Sequence, residues 1–313
     1  MAAPPLQDYH RLCLHTITTQ PWSIEEAAEQ YAAAGVPGIT VWRSSVEGRD
    51  AAAMGRCLRE HGLEIVSYVR GGFFAAADEN GRSAAIDENK RVIDEAAELG
   101  APLVVLVCGA VPGQPLPTSR DQIRAGLEAV LPYAEAAGLR LGIEPLHPVY
   151  ADSRSAINTL AQANDLAEAL ASPALGVVVD VYHLWWDPAL EAEIARCGRN
   201  GHLLAFHVCD WKTPTEHILL DRGLMGEGCI DLKGIRARVE AAGFHFPGDN
   251  DAIRAEVTRR LNESSGYREL FGRVFPHVKS GGPITFDDVG RAIAEFEFTL
   301  TFANAPIDRY ARG

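Results

Sequence analysis

Glu144, Asp180 and His207 each close a short apolar run: Leu-Gly-Ile-Glu, Leu-Gly-Val-Val-Val-Asp and Leu-Leu-Ala-Phe-His. Two carboxylates and an imidazole are ligand types for a divalent cation, and three of them at successive strand ends describe a metal site better than a core. The intervals between them each hold one strand-helix unit of roughly 30 residues, so the ligands come from neighbouring strands. Each residue has a plainer alternative. Glu144 can pair with an arginine at the rim, Asp180 can cap the next element, and His207 can be an ordinary hydrogen-bonded histidine. The coincidence of the three favours the metal.

The neighbouring residues widen the chemistry. Asp180 and His183 lie three apart in Asp-Val-Tyr-His, so a helical turn there puts both on one face. Cys209 shares the face of His207, but histidine is preferred beside carboxylates. Arg222, in Asp-Arg-Gly-Leu-Met-Gly-Glu-Gly, either offers its guanidinium to substrate oxygens or pairs with Asp221 or Glu227. Trp185, Trp186, Phe73 and Phe74 either line a pocket for a sugar or aromatic face or pack at the rim.

The elements that position these residues read as repeated strand-helix units up to about residue 242. Strands are expected at Arg11–Ile17, Gly38–Trp42, Glu64–Val69, Leu103–Val107, Arg140–Glu144, Gly176–Asp180 and Leu203–Val208. Ser23 followed by Glu26 has capping-box spacing, and Asp187-Pro188 places proline in a first helical turn. Glycines at 35, 62, 100, 138 and 243 stand where helices end. Seven or eight such units favour a closed (β/α)8 TIM barrel, whose strand carboxyl ends converge on one mouth.

The last seventy or so residues break this rhythm. We expect one domain over 1–313, with an atypical C-terminal region in which 246–290 is an insertion before a last strand at Ala294–Phe302. The alternative is one terminal helix from Thr285 to Thr299, with Asp287 and Asp288 in its first turn.

With 313 residues and 47% hydrophobic content, a single large core is affordable. A formal charge of -13 disfavours a nucleic-acid or anionic-membrane partner. Six cysteines without a Cys-x-x-Cys pair signal neither a zinc ribbon nor a redox motif and point to a cytoplasmic home. The start of the chain lacks a signal-peptide pattern, and no run approaches membrane-spanning length.

From Cys13 to Phe244 the chain resembles the sugar isomerase/epimerase superfamily of xylose-isomerase-like barrels. The likeness is carried by Ile-Glu-Pro-Leu-His-Pro, Val-Asp-Val-Tyr-His-Leu-Trp-Trp-Asp-Pro, Phe-His-Val-Cys-Asp-Trp and Leu-Asp-Arg-Gly-Leu-Met-Gly-Glu-Gly. The resemblance implies one divalent ion, manganese first and magnesium, cobalt or zinc otherwise, held by Glu144, Asp180, His207 and a glutamate of strand eight. Glu297 is the candidate for that glutamate, ahead of Glu295 and Glu256. It also implies His183, Arg222 and Trp186 at the substrate, and Glu144 with Glu297 as an acid/base pair, His147 or His183 being an alternative proton carrier. The implied activity is proton removal next to a carbonyl in a sugar or keto-sugar, giving isomerisation or epimerisation. Two alternatives stand beside it. One is elimination of the aglycone from 3-oxo-glycosides, as in C-glycoside deglycosidases with their small second subunit. The other is a catalytically silent barrel serving as a partner subunit. A related DNA-repair endonuclease would need more histidine ligands and a basic groove. The implied partners are a small-molecule sugar or glycoside, copies of the same chain, and neither nucleic acid nor membrane.

Overall fold

Short runs rich in Val, Ile and Leu alternate with alanine-rich segments, and each kind forms its expected element. The computed structural model describes residues 9, 11–219, 221–244, 257–286 and 288–292. Seven parallel strands stand in one sheet in chain order: β1 (Cys13–His15), β2 (Gly38–Trp42), β3 (Glu64–Gly72), β4 (Leu103–Val107), β5 (Arg140–Ile143), β6 (Leu175–Asp180) and β7 (Leu203–His207). Helices α1 (Ile24–Ala33), α2 (Ala51–Glu60), α3 (Glu79–Leu99), α4 (Leu116–Ala136), α5 (Leu160–Leu170), α6 (Val181–Leu184), α7 (Leu190–Arg199) and α8 (Leu232–Ala241) connect or follow them. The sheet is curled into a TIM-barrel-like form. Although β1 and β7 stand at opposite ends of the strand order, the His15 and His207 rings at their carboxyl ends lie 4.6 Å apart, centroid to centroid.

The seven expected strands all form, with small differences at their ends. β1 stops at His15 rather than Ile17, because Thr16–Thr19 turn into a 3-10 helix. β3 runs on to Gly72, whose backbone comes so close to β4 that an added Cβ would sit 2.0 Å from the Val107 carbonyl oxygen. Ser23 and Glu26 form the full capping box at the start of α1. The five expected helix-ending glycines all have positive φ. Pro188 lies outside the helix it was expected to begin. α7 starts at Leu190, and Asp187 instead accepts the N–H of Ala189.

Strand alternation sorts the side chains into two layers. Ile39, Val41, Val104, Leu106, Leu141, Ile143, Val177 and Val179 pack in one cluster with helix residues such as Ala28, Ile93, Ala96, Ile123 and Leu127. Val69, Leu103, Val105, Val178 and Ala205 form a second cluster inside the curl. Burying each large aliphatic side chain contributes roughly 1.5–3 kcal/mol, so these layers fix the strand phases firmly. Asp180 is in phase with Val178, and His207 with Ala205. Both therefore project from the inner layer at the strand ends.

The chain divides into two compact units, residues 1–245 and 246–313. In the second, Ser265–Val274 and Pro276–Lys279 are helical, as are residues 257–263 and 288–292. Thr285 and Asp288 cap the last of these reciprocally, through Thr285 N–H to Asp288 at 2.8 Å and Asp288 N–H to the Thr285 hydroxyl at 3.3 Å. Residues 286 and 288–292 are thus helical, within the Thr285 to Thr299 span of the terminal-helix alternative, whose remainder lies outside the described residues. The expected strand at Ala294–Phe302, with Glu295 and Glu297, lies outside the described residues, as does Glu256. The expected single domain with an inserted 246–290 turns on the same residues.

Candidate metal centre and active site

Glu144 follows β5 directly and Asp180 ends β6, and with His183 they form a group whose ligand atoms all lie within 4.8 Å of one another. The three residues are 8%, 5% and 3% exposed. Buried carboxylates this close need cationic or hydrogen-bonding partners. Glu144 accepts a hydrogen bond from His207 Nδ1 at 2.9 Å. Asp180 divides its oxygens: Oδ1 caps α6 by accepting the Tyr182 N–H at 2.8 Å, while Oδ2 faces Arg222 at 3.6 Å and His183 at 3.9 Å. Capping and a role at the site are therefore compatible in Asp180.

The electrostatics follow from this packing. Burial works to raise the Asp180 pKa, but His183, Arg222 and His207 outweigh it and hold the carboxyl below its ordinary range. Burial disfavours charge on His207, yet the bond to Glu144 and the field of Asp180 carry its pKa above the usual value. His183 goes the other way, because burial outweighs its two acidic neighbours and keeps the ring neutral at pH 7. Arg222 is held firmly charged, the nearby Asp180 and Glu144 overcoming its burial.

Two imidazoles compete for the third ligand place. His183 Nδ1 accepts the main-chain N–H of His147 at 3.2 Å, so its neutral ring carries the proton on Nε2, on the side of the Asp180 carboxylate. A metal-binding histidine normally donates its second N–H to an acceptor. His207 Nδ1 donates to Glu144 at 2.9 Å, a bond that an ion shared by these two residues would replace. Two carboxylates and one imidazole suit a divalent ion, so the donor set passes that chemical test.

Arg222 is brought in by a feature the sequence did not display. Asp210–Trp211 and Arg222–Gly223 form a two-stranded antiparallel ladder, β8 and β9. Lys212 takes Asp221 at 2.5 Å, and Glu227 accepts the N–H of Leu224, so neither acid holds Arg222. Its guanidinium turns inward instead, 4.2 Å from the Tyr182 ring centroid and 3.4 Å from His183 Nε2. Asp210, 1% exposed, ties the loop closed by accepting N–H groups from Trp211, Gly226 and Ile230. Asp210→Ala leaves these donors without their acceptor. We expect urea unfolding to show a loss of about 2–3 kcal/mol, and Asp210→Asn, which keeps an acceptor oxygen, to lose less.

His147 sits in the loop after β5, its ring 5.1 Å from Trp211 and 5.8 Å from Trp186, and burial lowers its pKa. Trp186 donates its indole N–H to the His183 carbonyl. Phe74 is core rather than pocket, 1% exposed, while Phe73 is 39% exposed under the Arg70 guanidinium. Cys209 lies 3.9 Å from Arg222, its thiol pushed up to about 12 chiefly by burial. Sequence reasoning missed His15, which ends β1, accepts the Trp42 indole N–H and packs edge-on against His207. The rule that named the candidate residues, a polar residue closing an apolar strand, would have named it too.

A curled parallel sheet with carboxylates and imidazoles at consecutive strand ends defines a TIM-barrel protein with its site at the carboxyl mouth. The chain belongs to the xylose isomerase-like TIM barrel family, whose model matches residues 28–268. A di-haem cytochrome c peroxidase model matches residues 234–313, a stretch without cysteine and so without a Cys-x-x-Cys-His haem attachment. Among curated relatives, a 3-dehydroshikimate dehydratase of Pseudomonas putida is 28% identical over 264 residues, 79% of this chain. The match covers 39% of that enzyme's length. A crystal structure of a Sinorhizobium meliloti 1021 protein superposes with TM-score 0.73 at 47% identity, over 78% of this chain and 92% of the other. The IolI protein, crystallised with a zinc atom, superposes with TM-score 0.65 at 20% identity, over 75% and 86%. Another curated relative is an inosose isomerase of Bacillus velezensis, 26% identical over 212 residues, 64% of this chain and 69% of that enzyme. No helix among the described residues is long and apolar enough to cross a membrane.

Proposed function

We propose that this chain is a divalent-metal-dependent enzyme that removes a proton next to a carbonyl in a sugar or keto-sugar, giving isomerisation or epimerisation. The observation that carries this reading is the gathering of Glu144, Asp180 and His183, whose ligand atoms lie within 4.8 Å of one another, with His207 bonded to Glu144 at 2.9 Å and Arg222 turned inward beside them. Glu144, Asp180 and His207 would hold the ion, with Glu297 as a fourth ligand; manganese is our first choice, and the zinc in IolI makes zinc the next. When bound, the ion supplies Lewis acidity toward adjacent substrate oxygens.

The chain's own residues supply the rest. Glu144 has two carboxylate oxygens, one of which would serve the ion and leave the other to take a proton from carbon. Neutral His183 presents Nε2–H to a substrate oxygen, and His147, also neutral, is an alternative proton carrier. Arg222 offers a planar pair of donors already oriented by Asp180 and Tyr182, so little ordering is left for substrate binding. Trp186 covers the rim beside His147. A second reading, expulsion of a group from the carbon next to the enolate, uses the same proton removal and is favoured by the dehydratase relative.

The test is solvent-proton exchange in heavy water, followed by NMR across a panel of ketoses and keto-acids. We expect deuterium to enter next to the carbonyl with manganese present and to stop entering with chelator. Exchange indifferent to chelator would contradict the reading.

A further inference from the structure

Among the described residues, two arginines at the mouth lack the acidic partner that this chain could readily supply. The sequence holds 42 Asp and Glu against 29 Lys and Arg, and arginines such as Arg43, Arg49, Arg196 and Arg238 are paired with them. Arg70 and Arg154, both only partly exposed, form no ion pair among the described residues. Burial, and then the charge of Arg154, lower the pKa of Arg70. Arg70 lies 4.8 Å from the centroid of the Phe73 ring, and Arg154 lies 5.7 Å from that of Tyr150.

The backbone holds this pair in place. Gly109, after β4, donates its N–H to the Arg154 carbonyl at 3.0 Å and accepts that of Ala156 at 3.0 Å. With φ +98°, Gly109 also lies so close to Phe73 that a Cβ would sit 2.8 Å from the Phe73 Cα. The segment carrying Arg70 and the turn carrying Arg154 are thus clamped on one glycine. Beside them the Tyr150 hydroxyl is buried with no hydrogen-bond partner among the described residues, and the Tyr150 ring lies 5.8 Å from that of His183. A buried hydroxyl without a partner is unfavourable and marks a place for a ligand oxygen.

We propose that Arg70, Arg154 and Tyr150 form an anion subsite that receives a carboxylate or phosphate of the substrate, so that the substrate is an anionic polyhydroxylated ketone rather than a neutral sugar. This rests on the reading of the Glu144 and Asp180 centre as the place of reaction. Guanidinium forks and a hydroxyl match the oxygens of either anion. The subsite lies next to His183, so one end of the substrate would be anchored while the other reaches the carboxylates.

The test is calorimetric titration of the full-length, manganese-supplemented protein with D-gluconate, D-fructose 6-phosphate and D-fructose. We expect at least one anionic probe to bind about tenfold or more tightly than D-fructose, and which one does so separates carboxylate from phosphate. Arg70→Gln and Arg154→Gln should each remove most of that preference, and Arg70→Lys should restore part of it. No binding of either anion at millimolar concentration, no preference over D-fructose, or a preference that survives both substitutions would overturn the proposal. Metal content and solvent exchange report on the underlying reading separately: an anion preference in a protein that binds no metal would leave the subsite standing and remove the metal-dependent reaction.

Discussion

Glu144→Gln is expected to abolish metal retention and proton exchange while leaving the fold in place. The amide is the same size as the carboxylate, and its oxygen can still accept the hydrogen bond from His207 Nδ1 that Glu144 accepts at 2.9 Å. What is lost is the negative charge, in a pocket where Glu144 is only 8% exposed and water screens little. Losing an anionic ligand should weaken metal binding at least about a hundredfold, since losing a residue that only hydrogen-bonds a ligand typically costs about ten- to a hundredfold. If the same group is the base, solvent exchange should fall by a further factor on the order of a thousand. Mass spectrometry and NMR exchange on one preparation check both effects, with unfolding curves confirming that the variant is folded. A variant that keeps its metal and loses only exchange would assign Glu144 to the base role alone.

Asp180→Asn is expected to cost stability as well as metal, and the cost should depend on pH. Asp180 faces His183 and partly buried Arg222, and removing one partner of a buried ion pair costs about 3–5 kcal/mol because the other is left uncompensated. Arg222 keeps some contact with water, so the lower end is expected. The Asp180 carboxyl is held below its ordinary value of 3.8 in the folded chain. Its contribution is therefore present above that value and is lost as pH falls through the depressed folded pKa. Urea unfolding in chelator should show wild type and variant well separated at pH 7 and converging below about pH 4. A gap independent of pH would mean that the loss comes from packing or the Tyr182 cap rather than from charge.

The same reasoning applies to His207 with the opposite sign. Its pKa is raised, so its bond to Glu144 stabilises the metal-free chain most on the acid side of 6.5 and fades as pH rises through the folded value. Metal competes with that proton. Affinity should thus fall about tenfold per pH unit below the His207 pKa.

Much of the barrel was legible because its signals are local. Each of the seven strands is a contiguous apolar run, and period-two alternation is enough to put Asp180 in phase with Val178 and His207 with Ala205. Strand ends then name Glu144, Asp180 and His207 directly. His15 was hidden by extending the first strand to Ile17, which moved it from a strand end to a strand interior. Arg222 was ambiguous because two acids flank it in sequence. Only the β8–β9 ladder, and Lys212 reaching Asp221, turn it inward. The choice between His183 and His207 rests on a main-chain N–H from His147, which no spacing reveals. Arg70 and Arg154 are 84 positions apart and meet only through the clamp at Gly109.

The central claim is a divalent ion held at the ends of β5, β6 and β7, and the metal content of the purified, untagged chain tests it most directly. We predict about one transition-metal ion per chain by mass spectrometry after incubation with manganese, cobalt or zinc, retained in His183→Gln and lost in His207→Gln. Wild-type protein that retains none of the three metals would contradict the account.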